Sequence, residues 1–211
     1  MLPGTRYNQL VGGNVARIAA LSDGVFAVAM TLLVLDLKTP AAALVHDDAS
    51  LAGALLVLAP RLAVFMMSFL TLGIFWMGQQ AQLNYLDRAD RDLTWLHLLF
   101  LFLVCLMPFS TALMAEFITL RLALALYWIN ILVLGLVLLL SWGHAARAGL
   151  LSPAATHEIQ ASICRRIKIA QTLYALATAL CVFGTLWSLG FIVAIQMVYA
   201  LGPTRGWLSK I

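Results

Sequence analysis

An aspartate lies inside an otherwise apolar stretch near the beginning of the chain. Asp23 is in the first third of RIAALSDGVFAVAMTLLVLDL, which runs from Arg17 to Leu37. A carboxylate within lipid is costly, and such residues usually face a partner on another helix or a water-filled cavity. Asp23 therefore either binds donors on neighbouring helices or lies hydrated near the membrane surface.

A histidine is the second residue suited to proton or hydrogen-bond chemistry. His97 lies within a later apolar stretch. Its imidazole is expected to donate to, or accept from, Asp23 or Ser22, in a structural or a pH-sensing role. The His-Asp-Asp sequence at 46–48 resembles a set of metal ligands, but its alanine-rich surroundings favour a solvated loop.

Signatures of catalysis are missing from the sequence. It has no phosphate-binding glycine loop, no HExxH, no CxxC pair and no nucleophile elbow, and no potassium filter of the TVGYG type. Cys105, Cys164 and Cys181 fit neither a zinc site nor a disulfide framework. We therefore predict a non-enzyme with no catalytic residues, no metal site and no cofactor.

Composition places these residues in a membrane protein. The chain of 211 residues is 63% hydrophobic and only 10% charged, whereas soluble domains are about 45–50% apolar and about 25% charged. So few polar residues cannot cover a water-exposed surface. The net charge of +4 is better explained by membrane orientation than by binding to nucleic acid.

The apolar segments predict an all-α, polytopic membrane protein. A helix needs about 20 residues to cross the hydrocarbon core, and we expect one domain over 1–211 with six such helices, at about 17–37, 51–77, 93–115, 118–142, 166–184 and 187–203. The last two come from dividing one long apolar stretch near Gly184. In the connection before them, Pro153 with Ser152 as its cap predicts a short helix.

Basic residues predict the orientation of these helices. With both termini in the cytoplasm, three of the thirteen Lys and Arg residues fall outside, namely Lys38, Arg61 and Arg121. The other ten fall inside, as the positive-inside rule expects. They are Arg6, Arg17, Arg88, Arg91, Arg147, Arg165, Arg166, Lys168, Arg205 and Lys210.

The first helix has two distinct stripes at 100° per residue. Asp23 lies on one flank with Ala27, Met30 and Val34. The neighbouring face is small and aliphatic with a single threonine, and contains Arg17, Leu21, Gly24, Val28, Thr31 and Leu35. Four copies of the second stripe around an axis would form a hydrophobic constriction able to gate by dewetting, although ordinary packing also produces such stripes.

The opening Arg-x-x-x-Leu-Ser-Asp, Arg17 to Asp23, resembles the signature of the transmembrane protein 175 family of potassium channels. The resemblance continues through Trp76 to the Pro-Phe pair at 108–109. Leu21 replaces the family's usual phenylalanine. Glutamines at 79 and 80 stand where the family often has a histidine, and His97 stands where it tends to have an asparagine, so the polar network around the signature is expected to be rewired.

This resemblance implies a homotetramer in lipid with the first helix lining a central pore, permeable to potassium and other monovalent cations. It places the narrowest aliphatic ring at Val28, the threonine that influences cation preference at Thr31, and a further ring at Leu35. Leu32 would enter the lumen if the helix rotated. Valine is shorter than the family's usual residue at this position, so either Val28 or Leu35 is the narrowest ring.

The remaining residues receive supporting roles. Arg17, Leu21, Ser22, Asp23, Trp76 and His97 form the signature and its network. Asp36, at the other end of the first helix, either concentrates cations at the pore mouth or is a solvated helix end.

The predicted function is a weakly selective potassium leak channel in the cell membrane. The alternative is a proton-coupled secondary transporter with Asp23 and His97 as its relay. Transporters commonly contain internal repeats and broken helices, and neither is evident in the sequence.

Overall fold

The computed structural model describes residues 14–201, with side chains through Tyr199. Arg6, Arg205 and Lys210, and the end of the sixth predicted helix, lie outside these residues. The described part is helical, and its one β-type pairing is an isolated bridge between Leu86 and Leu151.

Seven α-helices follow one another along the described chain. They are α1 (Val15–Leu33), α2 (Asp48–Leu83), α3 (Arg91–Cys105), α4 (Met107–Glu116), α5 (Arg121–Arg147), α6 (His157–Ala179) and α7 (Thr185–Leu201). Short 3-10 turns extend α1 over Val34–Asp36 and α6 over Leu180–Val182.

Polar side chains fix where α2 and α3 begin. Asp47 caps α2 by accepting a hydrogen bond from the Ser50 amide, and the Ser50 hydroxyl accepts from the Asp47 amide. Hydrogen bonding from the side chain and then from the backbone amide of Ser50 lowers the pKa of the Asp47 carboxyl. Asp90 caps α3 by accepting from the Leu93 amide at 2.7 Å. Two residues of the predicted connections therefore act as helix caps.

The helix expected over 93–115 is two helices. Pro108 lies in the first turn of α4, and a proline ring has no N–H to donate to the preceding turn. α3 therefore ends at Cys105 and α4 begins at Met107. Together they form one interrupted apolar segment, Arg91–Glu116.

Other boundaries also differ from the sequence-based expectation. α2 continues to Leu83 instead of ending near 77, because Gln79 and Gln82 are buried partners of the core and not part of a polar loop. α5 runs over Arg121–Arg147. α6 begins at His157 instead of near 166, because its polar first half is also helical and is capped by Thr156.

The expected helix at Pro153 is wrong. Pro153 lies in a turn, and Thr156 is the cap of α6, accepting from the Ile159 amide. The break in the last apolar stretch is at Gly184, whose φ of 156° favours glycine. α7 follows directly from Thr185.

A large apolar core joins the helices of the described chain, and a smaller cluster around Ile18, Leu83 and Leu93 lies apart from it. α1 packs against α2, α3 and α4, while α5 packs against α3, α4 and α6. Phe26 of α1 and Phe75 of α2 both lie against Phe100 of α3, with ring centroids 6.0 and 6.2 Å apart. These ring contacts fix the rotation of α1 about its axis. They therefore determine which side of the helix packs on the core and which side stays exposed.

Hydroxyl groups cross-link the core. The Thr111 hydroxyl donates to Ser68 at 2.8 Å, Ser68 donates to the fully buried Tyr127, and Thr71 pairs with the same phenol. The Gln196 amide of α7 donates to Thr71 at 2.6 Å. Buried polar groups are costly unless they are paired, so this network favours one packing of α2, α4, α5 and α7.

Within residues 14–201, four segments are long and apolar enough to cross a membrane. They are Val15–Asp36, Asp48–Leu83, Arg91–Glu116 and Arg121–Arg147. A shorter apolar helix covers Thr185–Tyr199. These properties describe a multi-pass membrane protein.

A glycine permits close packing of α5 on α6. A Cβ at Gly135 would overlap the side-chain amide of Gln171, which donates to the Ile131 carbonyl. We expect Gly135→Ala to displace Gln171 and to remove a hydrogen bond that contributes about 0.5–1.5 kcal/mol.

Gly190 is the control, because a Cβ added there would meet open space among the described residues. Replacing Gly190 with alanine should gain up to about 1 kcal/mol of helix propensity. Thermal unfolding in detergent should give Gly135→Ala the lower midpoint of the two, and the reverse order would contradict this packing.

Candidate functional site

The carboxylate of Asp23 is bound by two donors from α2. Trp76 Nε1 and Gln80 Nε2 each donate to Asp23 Oδ1 at 2.8 Å. Trp76 and Gln80 are four residues apart and so share one face of α2. The expectation that Asp23 is bound from another helix is confirmed, and α2 is the helix that supplies both donors.

The expected contact between His97 and Asp23 or Ser22 is wrong. His97 Nδ1 pairs with Gln79 Nε2 at 3.1 Å, and the Ser22 hydroxyl donates to the Ile18 carbonyl of its own helix. His97 is 2% exposed. α2 thus offers Gln80 to the carboxylate of Asp23 and Gln79, one position earlier, to the buried imidazole.

The glutamines at 79 and 80 thus serve two separate sites. Gln80 belongs to the carboxylate on α1, and Gln79 belongs to the histidine on α3. Two adjacent residues of a helix point about 100° apart, which is why one pair of amides can serve partners on different helices.

The aliphatic stripe of α1 is largely exposed in the part of the chain that the structure describes. Leu21 is 48%, Val28 57% and Leu35 71% exposed. Arg17, Gly24 and Thr31 are exposed as well, whereas Phe26, Ala29 and Leu33 on the other side of the helix are buried. α1 therefore buries one side in its own chain and presents the stripe as a free apolar surface.

A groove runs along this surface between α1 and α3. It has a volume of about 440 Å³ and is lined by Leu21, Gly24, Val28, Leu32 and Cys105, among others. No atom would lie within 4 Å of a Cβ at Gly24. Leu32 is thus on the rim of the exposed stripe and is not packed in the core.

Two exposed polar residues, Thr31 and Asp36, lie along this side of the first segment. The Thr31 hydroxyl donates to the carbonyls of Val28 and Ala27 at 2.9 and 3.0 Å, so its oxygen lone pairs remain on the exposed side. Asp36 is exposed in the 3-10 turn that ends the helix.

Sequence reasoning missed the polar contacts that join the beginning of α3 to the end of α5 and the segment after it. Asp90 Oδ2 lies 2.8 Å from His144 Nε2, and the Ser152 amide donates to the Tyr85 carbonyl. Capping residues just before an apolar run were a usable signal for Asp90. Nothing in the sequence pairs it with His144, because the two are 54 residues apart.

Comparison with known proteins identifies relatives of this chain. The family model described as endosomal/lysosomal potassium channel TMEM175 matches residues 17–108. A potassium channel of Chamaesiphon minutus is 34% identical over 190 residues, which cover 88% of this chain and 93% of that channel. The chain belongs to the TMEM175 family.

Other TMEM175 relatives differ in coverage and in name. A potassium channel of Streptomyces collinus is 37% identical over 137 residues, which span 65% of that channel's length. The human relative, named an endosomal/lysosomal proton channel, is 25% identical over 156 residues, and the match covers 31% of its length.

A solved TMEM175 structure has the same fold. The crystal structure of a lysosomal potassium-selective channel TMEM175 homologue from Chamaesiphon minutus superposes with a TM-score of 0.76 at 33% identity. The match covers 89% of this chain and 96% of that one. The TMEM175 family is a family of ion channels, and its matched segment contains Asp23, Trp76, Gln80 and His97.

The separation of the two polar sites in this TMEM175 member is testable by double-mutant cycles. Asp23→Ala and Gln80→Leu should be coupled by about 0.6 kcal/mol, and by no more than about 1.7 kcal/mol, the average and the maximum for hydrogen bonds between membrane helices. Asp23→Ala and His97→Ala, with no shared bond, should be additive to within about 0.3–0.5 kcal/mol. The measurement is the unfolding free energy of each variant in mixed micelles. Strong coupling to His97 instead of Gln80 would contradict the geometry.

Proposed function

We propose that this chain forms a potassium-permeable leak channel of weak selectivity among monovalent cations. Its pore would be narrowed by aliphatic side chains of α1. The observation that carries the proposal is the free aliphatic stripe at Leu21, Val28 and Leu35, left exposed by a helix whose opposite side is buried. The groove beside the stripe and the threonine on it favour contact with another chain or with water over contact with lipid alone.

In a homotetramer, this stripe of α1 would line the central pore. Four α1 helices around one axis would surround a path lined by Val28, Thr31 and Leu35, with Leu32 at the margin. The groove beside Gly24 would receive the α1 helix of a neighbouring chain. The names of the Chamaesiphon and Streptomyces relatives support the choice of potassium.

The narrow part of the pore is proposed to be apolar. Rings of Val28 and Leu35 would exclude water unless they are wide enough to wet, and such constrictions gate by dewetting. Between them, the outward lone pairs of Thr31 would offer acceptors to a partly dehydrated cation. Asp36 would raise the local cation concentration at the mouth.

The Asp23 site would support the pore without lying in the constriction. Its hydrogen bonds to Trp76 and Gln80 fix α1 to α2 five residues before Val28. Arg17, Leu21 and Ser22 complete the signature around it. We place all six crossings in the cell membrane with both termini in the cytoplasm, counting α3 and α4 as one crossing and adding α6 and α7.

A proton-coupled transporter has less support. Its relay would require Asp23 and His97 to communicate, and they bind different residues of α2.

Reconstitution into liposomes tests the channel directly. Purified protein should dissipate a potassium gradient without ATP, substrate or a proton gradient, with potassium flux exceeding sodium flux. Flux that saturates at low rates and requires a proton gradient would refute the channel and favour the transporter.

A further inference from the structure

A second cavity lies among α2, α5, α6 and α7, away from the α1 stripe. This α6 cleft has a volume of about 280 Å³. Its apolar wall includes Phe75, Met77, Leu138, Ile163 and Ile167, and its polar wall includes Arg166, Gln171, Tyr174 and Tyr199. Nothing in the proposed pore uses these residues.

Arg166 is a cation at the rim of the cleft. Its guanidinium carbon is 5.8 Å from the centroid of the Tyr199 ring, an arrangement typical of cation–π contact. The side chain is exposed, and no carboxylate of residues 14–201 forms an ion pair with it. Arg166 thus offers an uncompensated positive charge above an apolar hollow.

The position of Arg166 along α6 places that charge at a membrane surface. Before it, the helix is polar, HEIQASIC, and after Lys168 it becomes apolar, IAQTLYALATA. The change from polar to apolar residues marks where a helix enters lipid. An occupant would therefore meet a cation at headgroup level and an apolar wall below it.

Two polar atoms of the wall have no hydrogen-bond partner among the described residues. They are the Oε1 of Gln171 and the hydroxyl of Tyr199. Buried polar groups left unpaired cost about 1–3 kcal/mol each. One accepts and the other can donate, so together they suit the hydroxyl and ester groups that join a headgroup to its acyl chains.

We propose that the α6 cleft binds one anionic phospholipid, with its phosphate at Arg166 and part of an acyl chain among α2, α5 and α6. Basic pockets between membrane helices on the cytoplasmic side are a known setting for anionic headgroups. The cleft is close to the lower end of the range for ligand pockets, about 300–1,000 Å³. It therefore holds part of a single chain and not a whole lipid.

Native mass spectrometry of the delipidated full-length protein tests this proposal. Titration with dioleoyl phosphatidylglycerol should give a saturable adduct of one lipid per chain, and dioleoyl phosphatidylcholine should bind more weakly. A basic residue near anionic lipid adds enough attraction that Arg166→Gln should weaken phosphatidylglycerol binding about fivefold. The matched control is Arg165→Gln, because Arg165 is adjacent to Arg166 in the sequence but does not line the cleft. This variant should lose less phosphatidylglycerol binding than Arg166→Gln.

Filling the cleft with a larger side chain tests the proposal independently of the arginine variants. Ala170 lines the cleft and Ala161 does not, so Ala170→Phe should abolish the adduct and Ala161→Phe should retain it. Equal binding of the two phospholipids, equal loss in both arginine variants, or full retention in Ala170→Phe would each overturn the proposal. Displacement of the lipid by millimolar inorganic phosphate would overturn it in favour of a free anion site.

Discussion

Replacing Val28 with asparagine should increase potassium conductance on the order of tenfold and reduce preference over sodium. Val28 is exposed on the free stripe of α1, and an amide in its place would keep the proposed constriction hydrated. A tenfold increase in the rate of ion passage corresponds to a permeation barrier lowered by about 1.4 kcal/mol. Four substituted side chains, one per chain, need to supply only a small part of this each. Single-channel recording in planar bilayers measures both quantities. Leu35→Asn should act in the same direction.

Val34→Asn is the matched control for this experiment. Val34 is 50% exposed, close to the 57% of Val28, but lies about 120° away around the helix at 100° per residue. Its substitution adds the same amide off the stripe and should leave conductance within about twofold of the unsubstituted protein. Unchanged currents in both Val28→Asn and Leu35→Asn would remove the pore from this face of α1.

Replacing Asp23 with alanine should weaken assembly and abolish most of the flux. The substitution leaves Trp76 Nε1 and Gln80 Nε2 without their common acceptor. Hydrogen bonds between membrane helices contribute about 0.6 kcal/mol on average and about 1.7 kcal/mol at most, so losing two of them would cost each chain on the order of 1–3 kcal/mol, and the loss would occur in every protomer. Size-exclusion chromatography with light scattering, followed by liposome flux, measures the two effects.

Two variants distinguish the acceptor from the charge. Asp23→Asn keeps an oxygen where Oδ1 accepts both bonds and should retain more assembly than Asp23→Ala. Asp36→Ala removes a carboxylate from the other end of the same segment, where no hydrogen bond to its side chain is formed by residues 14–201, and should leave assembly unchanged. Equal assembly in Asp23→Ala and Asp36→Ala would show that this carboxylate has no structural role.

Sequence reasoning reached the helices and the free face of α1 because both follow from periodicity. Hydrophobic spacing locates Val28 and Leu35 on one side of a helix, and the structure leaves that side exposed. The family resemblance, confirmed by the comparisons, followed from a short motif around Asp23. Periodicity contains no information on which helix lies opposite a given residue.

The errors concern contacts between distant segments and the ends of helices. The expected pairing of His97 with Asp23 rests on both being polar residues in apolar helices, yet adjacent glutamines of α2 bind them separately. The expected beginning of α6 near 166 is wrong because the polar first half of this helix resembles a loop, and the Thr156 cap marks where it begins. The interruption before α4 was readable from Pro108 and is explained by the missing N–H.

A cryo-electron microscopy structure of the full-length protein in lipid nanodiscs tests the central claim most directly. It should contain four chains with α1 innermost, and with Val28 and Leu35 pointing at the symmetry axis. An assembly in which these two side chains contact acyl chains, remote from any axis, would contradict the account.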